Sequence, residues 1–316
     1  MESIKSFQYQ LYPSDKYDII VVSNEKHKDT NILLEQLPVK IIITDKTNYN
    51  KARALQYAIA HTPDKIYDTA IIMDADNNVD NTFLKEINDA LYSGGMAIQT
   101  HRVSRKLHTD TALFAAISEE INNSIFRLGH VNIGFSSALI GSGMALNFSW
   151  LKKNLASITM NDVVKELEIM LLEQSIYIEY LNNTHVYGEK APKADQYYQQ
   201  RTSWYFNPVK QFISSFIKIP KAIIQGNYDL FDKLFQWLIP SRTLLIGTLV
   251  LISIGLIIFS WGLAIKWVVL LIFLIVAFSI ATPDYFIDAR FIKAMRSAPL
   301  LFILTALNTV KRKIKS

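Results

Sequence analysis

Thr69-Ala70-Ile71-Ile72-Met73-Asp74-Ala75-Asp76 decides how this chain is read: a short β-branched apolar run stops abruptly at paired carboxylates one residue apart. The run is too short for a helix and reads as a buried strand. Carboxylates at the mouth of such a strand can present oxygens to one hard divalent cation. Mg²⁺ or Mn²⁺ suits them, because each keeps several waters and accepts substrate phosphates as further ligands. The competing reading is a polar loop that caps a helix starting near Asn81. A calcium loop of the EF-hand type is excluded. Counted from Asp74, the glycine position holds Val79 and the closing glutamate position holds Lys85.

Outward from this stretch, β-rich runs alternate with helical patterns. The expected strands are Tyr17–Val22, Val39–Thr44, Thr69–Met73 and Met96–Thr100, with helices near Thr30–Gln36, Asn50–His61 and Asn81–Tyr92. Alternation of this kind predicts an α/β fold with an open, mostly parallel sheet flanked by helices. Ligands of such sheets sit at the carboxyl ends of the strands, which is where Asp74 and Asp76 stand.

The rest of the chain changes character. From Thr243 to Thr282 only Lys266 is charged, and the run divides into Thr243–Leu263 and Ala264–Thr282. Each has the ~20 apolar residues that a bilayer-spanning helix needs. Trp261 and Trp267 fall where an interfacial aromatic belt would lie. The short link predicts a transmembrane hairpin with both outer ends on one side. Arg242, Arg290, Lys293, Arg296 and the tail Lys311-Arg312-Lys313-Ile314-Lys315 place that side in the cytoplasm by the positive-inside bias. Core helices of a large soluble protein are the alternative. Before the hairpin, Pro208 to Pro240 mixes apolar clusters with lysines. The pattern suits helices lying in the membrane interface, and equally suits packing on a soluble domain. The expected division is therefore a soluble domain over 1–206, interfacial helices over 207–240 and a membrane hairpin with a basic tail over 241–316.

The chain has no cysteine, so disulfides and thiolate metal sites are excluded. Its net charge of +5 is mild, and no basic stripe with interleaved aromatics accompanies the tail, so no nucleic-acid partner is expected. Met1–Ser6 has no apolar core of a signal peptide. There is no phosphate-cradling glycine loop of the GxGxxG or Walker type, and no nucleophile elbow. The six histidines show no metal-ligand spacing.

In order along the chain come Tyr17–Val22, Asn50-Lys51-Ala52-Arg53-Ala54-Leu55, Ile71–Asp76, Gly141-Ser142-Gly143-Met144-Ala145, Lys165-Glu166-Leu167-Glu168 and Gln200-Arg201-Thr202-Ser203-Trp204. This series resembles the membrane-associated, cellulose synthase-like branch of the family 2 glycosyltransferases, from about Leu11 to the hairpin. The resemblance implies a GT-A fold and sugar transfer from a nucleotide-sugar donor to a glycan or lipid-linked acceptor at the bilayer. It implies that Asp74 and Asp76 hold Mg²⁺ or Mn²⁺ on the donor diphosphate, and that Lys51 and Asp74 contact the nucleotide. It further implies that Gly141, Ser142 and Gly143 let the sugars approach the backbone, and that Gln200, Arg201 and Trp204 line the donor or acceptor channel.

The series also departs from the family pattern. The family's opening strand, normally central in the sheet, has no counterpart, so its neighbours are expected to lack ladder partners. Asn24 stands where an aspartate near the nucleotide base is usual; it keeps the acceptor oxygen without the charge, and the resemblance implies that it too contacts the nucleotide sugar. Val163 and Val164 occupy the place of the catalytic base, leaving Asp162 and Glu166 as the nearest carboxylates. Ser203 replaces the arginine of the Gln-x-x-Arg-Trp motif.

Overall fold

The computed structural model describes residues 2–44, 50–63, 67–105, 107, 109–158, 162–188, 208–239 and 242–286. Two compact units emerge: Met1–Val103 with Phe126–Glu189, and Ser104–Ile125 with Lys190–Ser316. The first unit runs through α1 (Glu2–Gln8), β1 (Ile20–Asn24), α2 (Lys28–Glu35), β2 (Lys40–Thr44), α3 (Lys51–Ala60), β3 (Thr69–Ile72), β4 (Asn78–Val79), α4 (Phe83–Tyr92) and β5 (Ala97–Ser104). The chain then gives α5 (Asp110–Asn122) to the second unit. It resumes with a π-helical stretch, Asn123–Gly129, then α6 (His130–Asn132), β6 (Met144–Asn147), α7 (Phe148–Leu155), α8 (Val163–Glu173) and β7 (Ile178–Gly188).

Local chemistry sets these boundaries. Asn50, in extended backbone, caps α3 by accepting the Arg53 N–H at 2.9 Å. Asn147 does the same for α7 through Trp150 N–H, also at 2.9 Å. Short polar side chains at this position satisfy amides that the first turn leaves open. The first strand starts later than expected because Ser14–Lys16 forms a 3₁₀ turn and the Tyr17 hydroxyl donates to the Phe7 carbonyl at 2.7 Å. Below the sheet, α4 buries Phe83, Leu84 and Ile87 with Val79, Ile98, Ala145 and Val186, and Phe7 of α1 packs edge-on against Phe83.

The α/β class holds, but the sheet is mixed rather than mostly parallel. Among the described residues, β1 and β2 form a parallel pair of their own, and a second sheet has the order β3-β6-β5-β7-β4. Within it β6 runs antiparallel to both β3 and β5, and β4 is antiparallel to β7. Since β3 and β5 both oppose β6, they run the same way, as their strand–helix–strand spacing predicts. β6 alters the picture: it arrives after a long helical excursion, turns at Gly141–Gly143 and inserts between them. Among the described residues β3 is an edge strand of its sheet.

The second unit holds α5 with α9 (Pro208–Ile224), α10 (Tyr228–Leu238), α11 (Arg242–Phe259) and α12 (Trp261–Ile280). α9 packs on α10, and α11 on α12. The hairpin breaks at Ser260, whose extended backbone separates the helices three residues before the expected division, so Trp261 opens the second helix. Among the described residues only Trp261–Ile280, 20 residues long, is long and apolar enough to cross a membrane; the apolar stretch Leu245–Phe259 is shorter. Arg242 ties α11 to α5, donating to Ser118 O and Asn122 Oδ1 at 2.7 Å each, and its guanidinium lies over Phe278. Leu113, Ala116, Ile117 and Ile121 of α5 pack with Ala281 and Phe286.

Candidate functional site

The cluster forms where β3 ends, α3 begins and the turn into β6 passes between them. Lys51 is the first residue of α3, so the Asn50 cap fixes where its side chain starts. Its Nζ lies 2.5 Å from Asp74 Oδ1 and 2.5 Å from Gly141 O. Both side chains of this ion pair are about one-third exposed (35% and 34%), so the pair meets solvent and any ligand that solvent carries. Asp76 is exposed, two residues on.

Beneath it, a buried polar network holds the turn. The Ser142 hydroxyl accepts from Asp74 N–H at 3.1 Å and from Asn77 Nδ2 at 2.5 Å, and both Ser142 and Asn77 are fully buried. Gln99 Nε2 donates to Ser142 O and Thr100 O, each at 3.0 Å, while Gln99 Oε1 accepts from Ile140 N–H. Thr100 Oγ1 donates to Gly143 O at 2.8 Å, and Glu168 Oε1 accepts Leu139 N–H at 2.8 Å. The turn requires its glycines. Gly141 and Gly143 have φ of +87° and +70°, in the left-handed region that side chains disfavour. A Cβ on Gly141 would stand 2.6 Å from Val164 Cγ2, and one on Gly143 would collide with Thr100 Oγ1.

The structure thus brings together Lys51, Asp74, Gly141, Ser142 and Gly143. Asn24 is engaged in its own turn, where its side chain accepts Lys26 N–H at 3.0 Å. Asp162 is the N-cap of α8, accepting Lys165 N–H at 3.4 Å. Glu166 lies in the first turn of α8 and is half-buried. The α8 side chain that meets Gly141 is Val164, and Glu168 follows on the same face one turn later. Gln200, Arg201 and Trp204 lie outside the described residues, as does the basic tail.

Sequence reasoning missed Gln99, Thr100, Asn77 and Glu168. The first two carried a signal: they follow Met96-Ala97-Ile98 in an expected strand, and polar side chains buried in a strand must find partners inside. Among the described residues no group of three or more acidic or histidine side chains could hold a metal. Two carboxylates such as Asp74 and Asp76 fit an ion whose remaining ligands are water and substrate phosphate.

A sequence model of glycosyl transferase family group 2 matches residues 70–280, more than half of the chain. The chain belongs to this family. The match begins inside β3 and ends with α12, so the carboxylate pair, the glycine turn, α8 and the apolar helices all fall within the family's pattern. No curated protein sequence matches the chain. Among solved structures it is similar to residues 1–349 of S. aureus TarS, at 11% identity and TM-score 0.40, over 60% of this chain and 56% of that one. A mycobacterial protein aligns at 16% identity and TM-score 0.39, over 57% and 59%. The mannosyltransferase PcManGT from Pyrobaculum calidifontis, solved with GDP-Man and Mn²⁺, aligns at 14% identity and TM-score 0.47, over 88% and 81%. The chain thus spans less than two-thirds of the first two. Family membership rests on the sequence match.

Proposed function

We propose that this chain is a membrane-anchored, inverting glycosyltransferase that moves a sugar from a nucleotide-sugar donor to a hydroxyl of a glycan or lipid-linked acceptor at the cytoplasmic face. The observation that carries the reading is the Lys51–Asp74 pair at Gly141, standing where β3 ends and α3 begins. Donor phosphates suit such a place, because the amides and the dipole at the start of α3 favour negative charge. In this reading Lys51 binds the diphosphate as a point charge and Asp74 with Asp76 would hold Mg²⁺ or Mn²⁺. When bound, the ion neutralises charge on the departing diphosphate. Transfer forms a bond between the acceptor oxygen and the anomeric carbon as the bond from that carbon to the phosphate oxygen breaks. The electron pair leaves on the nucleoside diphosphate, and the hydroxyl proton passes to a carboxylate. Glu166 and Asp162 are the α8 carboxylates for that role. Gln200, Arg201 and Trp204 line the sugar channel in the same reading.

The proposed layout assigns transfer to 1–206, interface contacts to 207–240 and anchoring to 241–316. Exposed Ile217, Ile223, Ile224 and Phe235 on α9 and α10 support the interface assignment, and the apolar surface of α12 supports the anchor.

Val164 favours a second reading, a catalytically degenerate family member that acts as a non-enzymatic membrane scaffold or partner of a synthase, because an aliphatic side chain occupies the place expected for the base. One experiment separates the two. Full-length protein in nanodiscs is titrated with nucleotide sugars and Mn²⁺, and release of nucleoside diphosphate is followed with and without membrane lipids as acceptor. Binding with turnover supports the transferase, binding without turnover supports the partner, and loss of both in Asp74→Ala is expected. If the wild-type chain binds no nucleotide sugar, the transferase reading fails.

A further inference from the structure

The cation already at Asp74 is Lys51. Its ammonium is fixed from both sides: the capped start of α3 sets the base of the side chain, and Gly141, held in a left-handed turn, aims its carbonyl at Nζ. Asp74 is fixed as well, since its backbone N–H is spent on the buried Ser142 hydroxyl. The ammonium therefore stands on the carboxylate that a divalent ion needs. A dication and an ammonium a few ångströms apart repel each other, and where both side chains are only about one-third exposed solvent screens them only in part.

We infer that Lys51 is a positioning residue that makes metal and diphosphate enter together. It holds Asp74 closed to a lone divalent ion and yields Asp74 when an anionic diphosphate offers its ammonium better acceptors. This rests on the donor-site reading above. The diphosphate draws Nζ from Asp74 Oδ1, the freed carboxylate takes the ion, and the ion in turn favours the diphosphate. Coupling of this kind is reciprocal, so each ligand strengthens the other by the same factor. The geometry also identifies the residue that carries the coupling.

The test uses the full-length chain in detergent micelles, with free Mn²⁺ counted from its electron paramagnetic resonance signal. The probes are Mn²⁺ alone and Mn²⁺ with GDP, UDP or inorganic pyrophosphate. Wild type is expected to bind Mn²⁺ weakly alone and more tightly with a diphosphate. Lys51→Met and Lys51→Gln are expected to bind Mn²⁺ alone about tenfold tighter than wild type, within the span usual for coupled sites. Added diphosphate should then gain little. Lys51→Gln keeps a donor for Gly141 O, so it separates loss of charge from loss of packing should Lys51→Met fail to fold. Adding Asp74→Asn to either variant should abolish the gain. Folded Lys51 variants whose Mn²⁺ affinity is unchanged or weaker overturn the inference. A gain in Lys51→Gln while Mn²⁺ binding by wild type is not tightened by GDP, UDP or pyrophosphate keeps Lys51 as the block on a lone ion, overturns its coupling to a diphosphate, and counts against the nucleotide-sugar reading.

Discussion

Ser142 carries more of the site than its size suggests, because one hydroxyl satisfies two donors in a place that water does not reach. Removing a buried acceptor leaves those donors their full desolvation penalty, about 1–3 kcal/mol. Ser142→Ala is therefore expected to lower unfolding free energy by about 2 kcal/mol, read from denaturant unfolding, and to weaken nucleotide-diphosphate binding as Asp74 loses its tether. A wild-type denaturation midpoint in Ser142→Ala would show that the hydroxyl is replaceable. Gly141 is constrained differently. Its φ of +87° is accessible to other residues only with strain, and an added methyl would press on Val164. Gly141→Ala should cost roughly 1–3 kcal/mol. It should also move the carbonyl that Lys51 holds, so binding is expected to fall further than stability alone explains. The double variant Gly141→Ala, Val164→Ala checks the cause: relief of the contact should recover part of the loss, leaving the backbone strain.

At the scale of elements, the turn into β6 is held from beneath by α8 and β5 rather than by its own bonds. Glu168, only 4% exposed, faces Leu139 N–H. Glu168→Gln keeps an acceptor oxygen and should fold nearly as well as wild type. Glu168→Leu strands the amide and should lose about 1–3 kcal/mol, and equal melting temperatures for the two would refute the role. Glu179 on β7 gives a dependence on pH. Burial pushes its carboxyl above the usual range, so its ionisation opposes folding. The stability it contributes when protonated is complete below its ordinary value of 4.5 and is lost as pH rises through the elevated folded value. Glu179→Gln should thus melt higher than wild type at pH 7 and no higher at pH 4; the gain is about 0.5 kcal/mol or less, since the side chain remains partly solvated. Elements with a clean period were legible from the residues alone. The Asn50 cap, the apolar run of β3 and the helix ending at Tyr92 follow from local chemistry. β6 was not legible as a strand, because its four residues, Met144–Asn147, take their place from ladders to β3 and β5 that are distant in sequence. The carboxylate pair stood out by its place after β3, whereas the glycine turn was singled out by the family resemblance. The network of Gln99, Asn77 and Glu168 was not legible, because hydrogen bonds across the fold leave no spacing in the sequence.

At the scale of the whole molecule, the question is whether the second unit meets lipid. In the isolated chain α12 exposes Leu270, Phe273 and Ile280, at 53%, 68% and 80%, and a surface that apolar along a 20-residue helix favours a lipid environment over water. α9 presents a different surface, with Lys221 exposed near Ile223 and Ile224, and the proposed place in the headgroup region would keep that charge in water. The absence of cysteine makes the distinction measurable, since any single introduced thiol is the only one. In sealed inside-out vesicles Leu270→Cys should stay unlabelled by a membrane-impermeant maleimide until detergent is added, whereas Lys221→Cys should react at once. In vesicles of the opposite orientation Lys221→Cys should also be silent, because the cytoplasmic assignment places it inside. Equal labelling of both thiols in intact vesicles would mean that α12 is not in a bilayer. Labelling of Lys221→Cys only in right-side-out vesicles would keep the anchor and overturn the cytoplasmic assignment of α9.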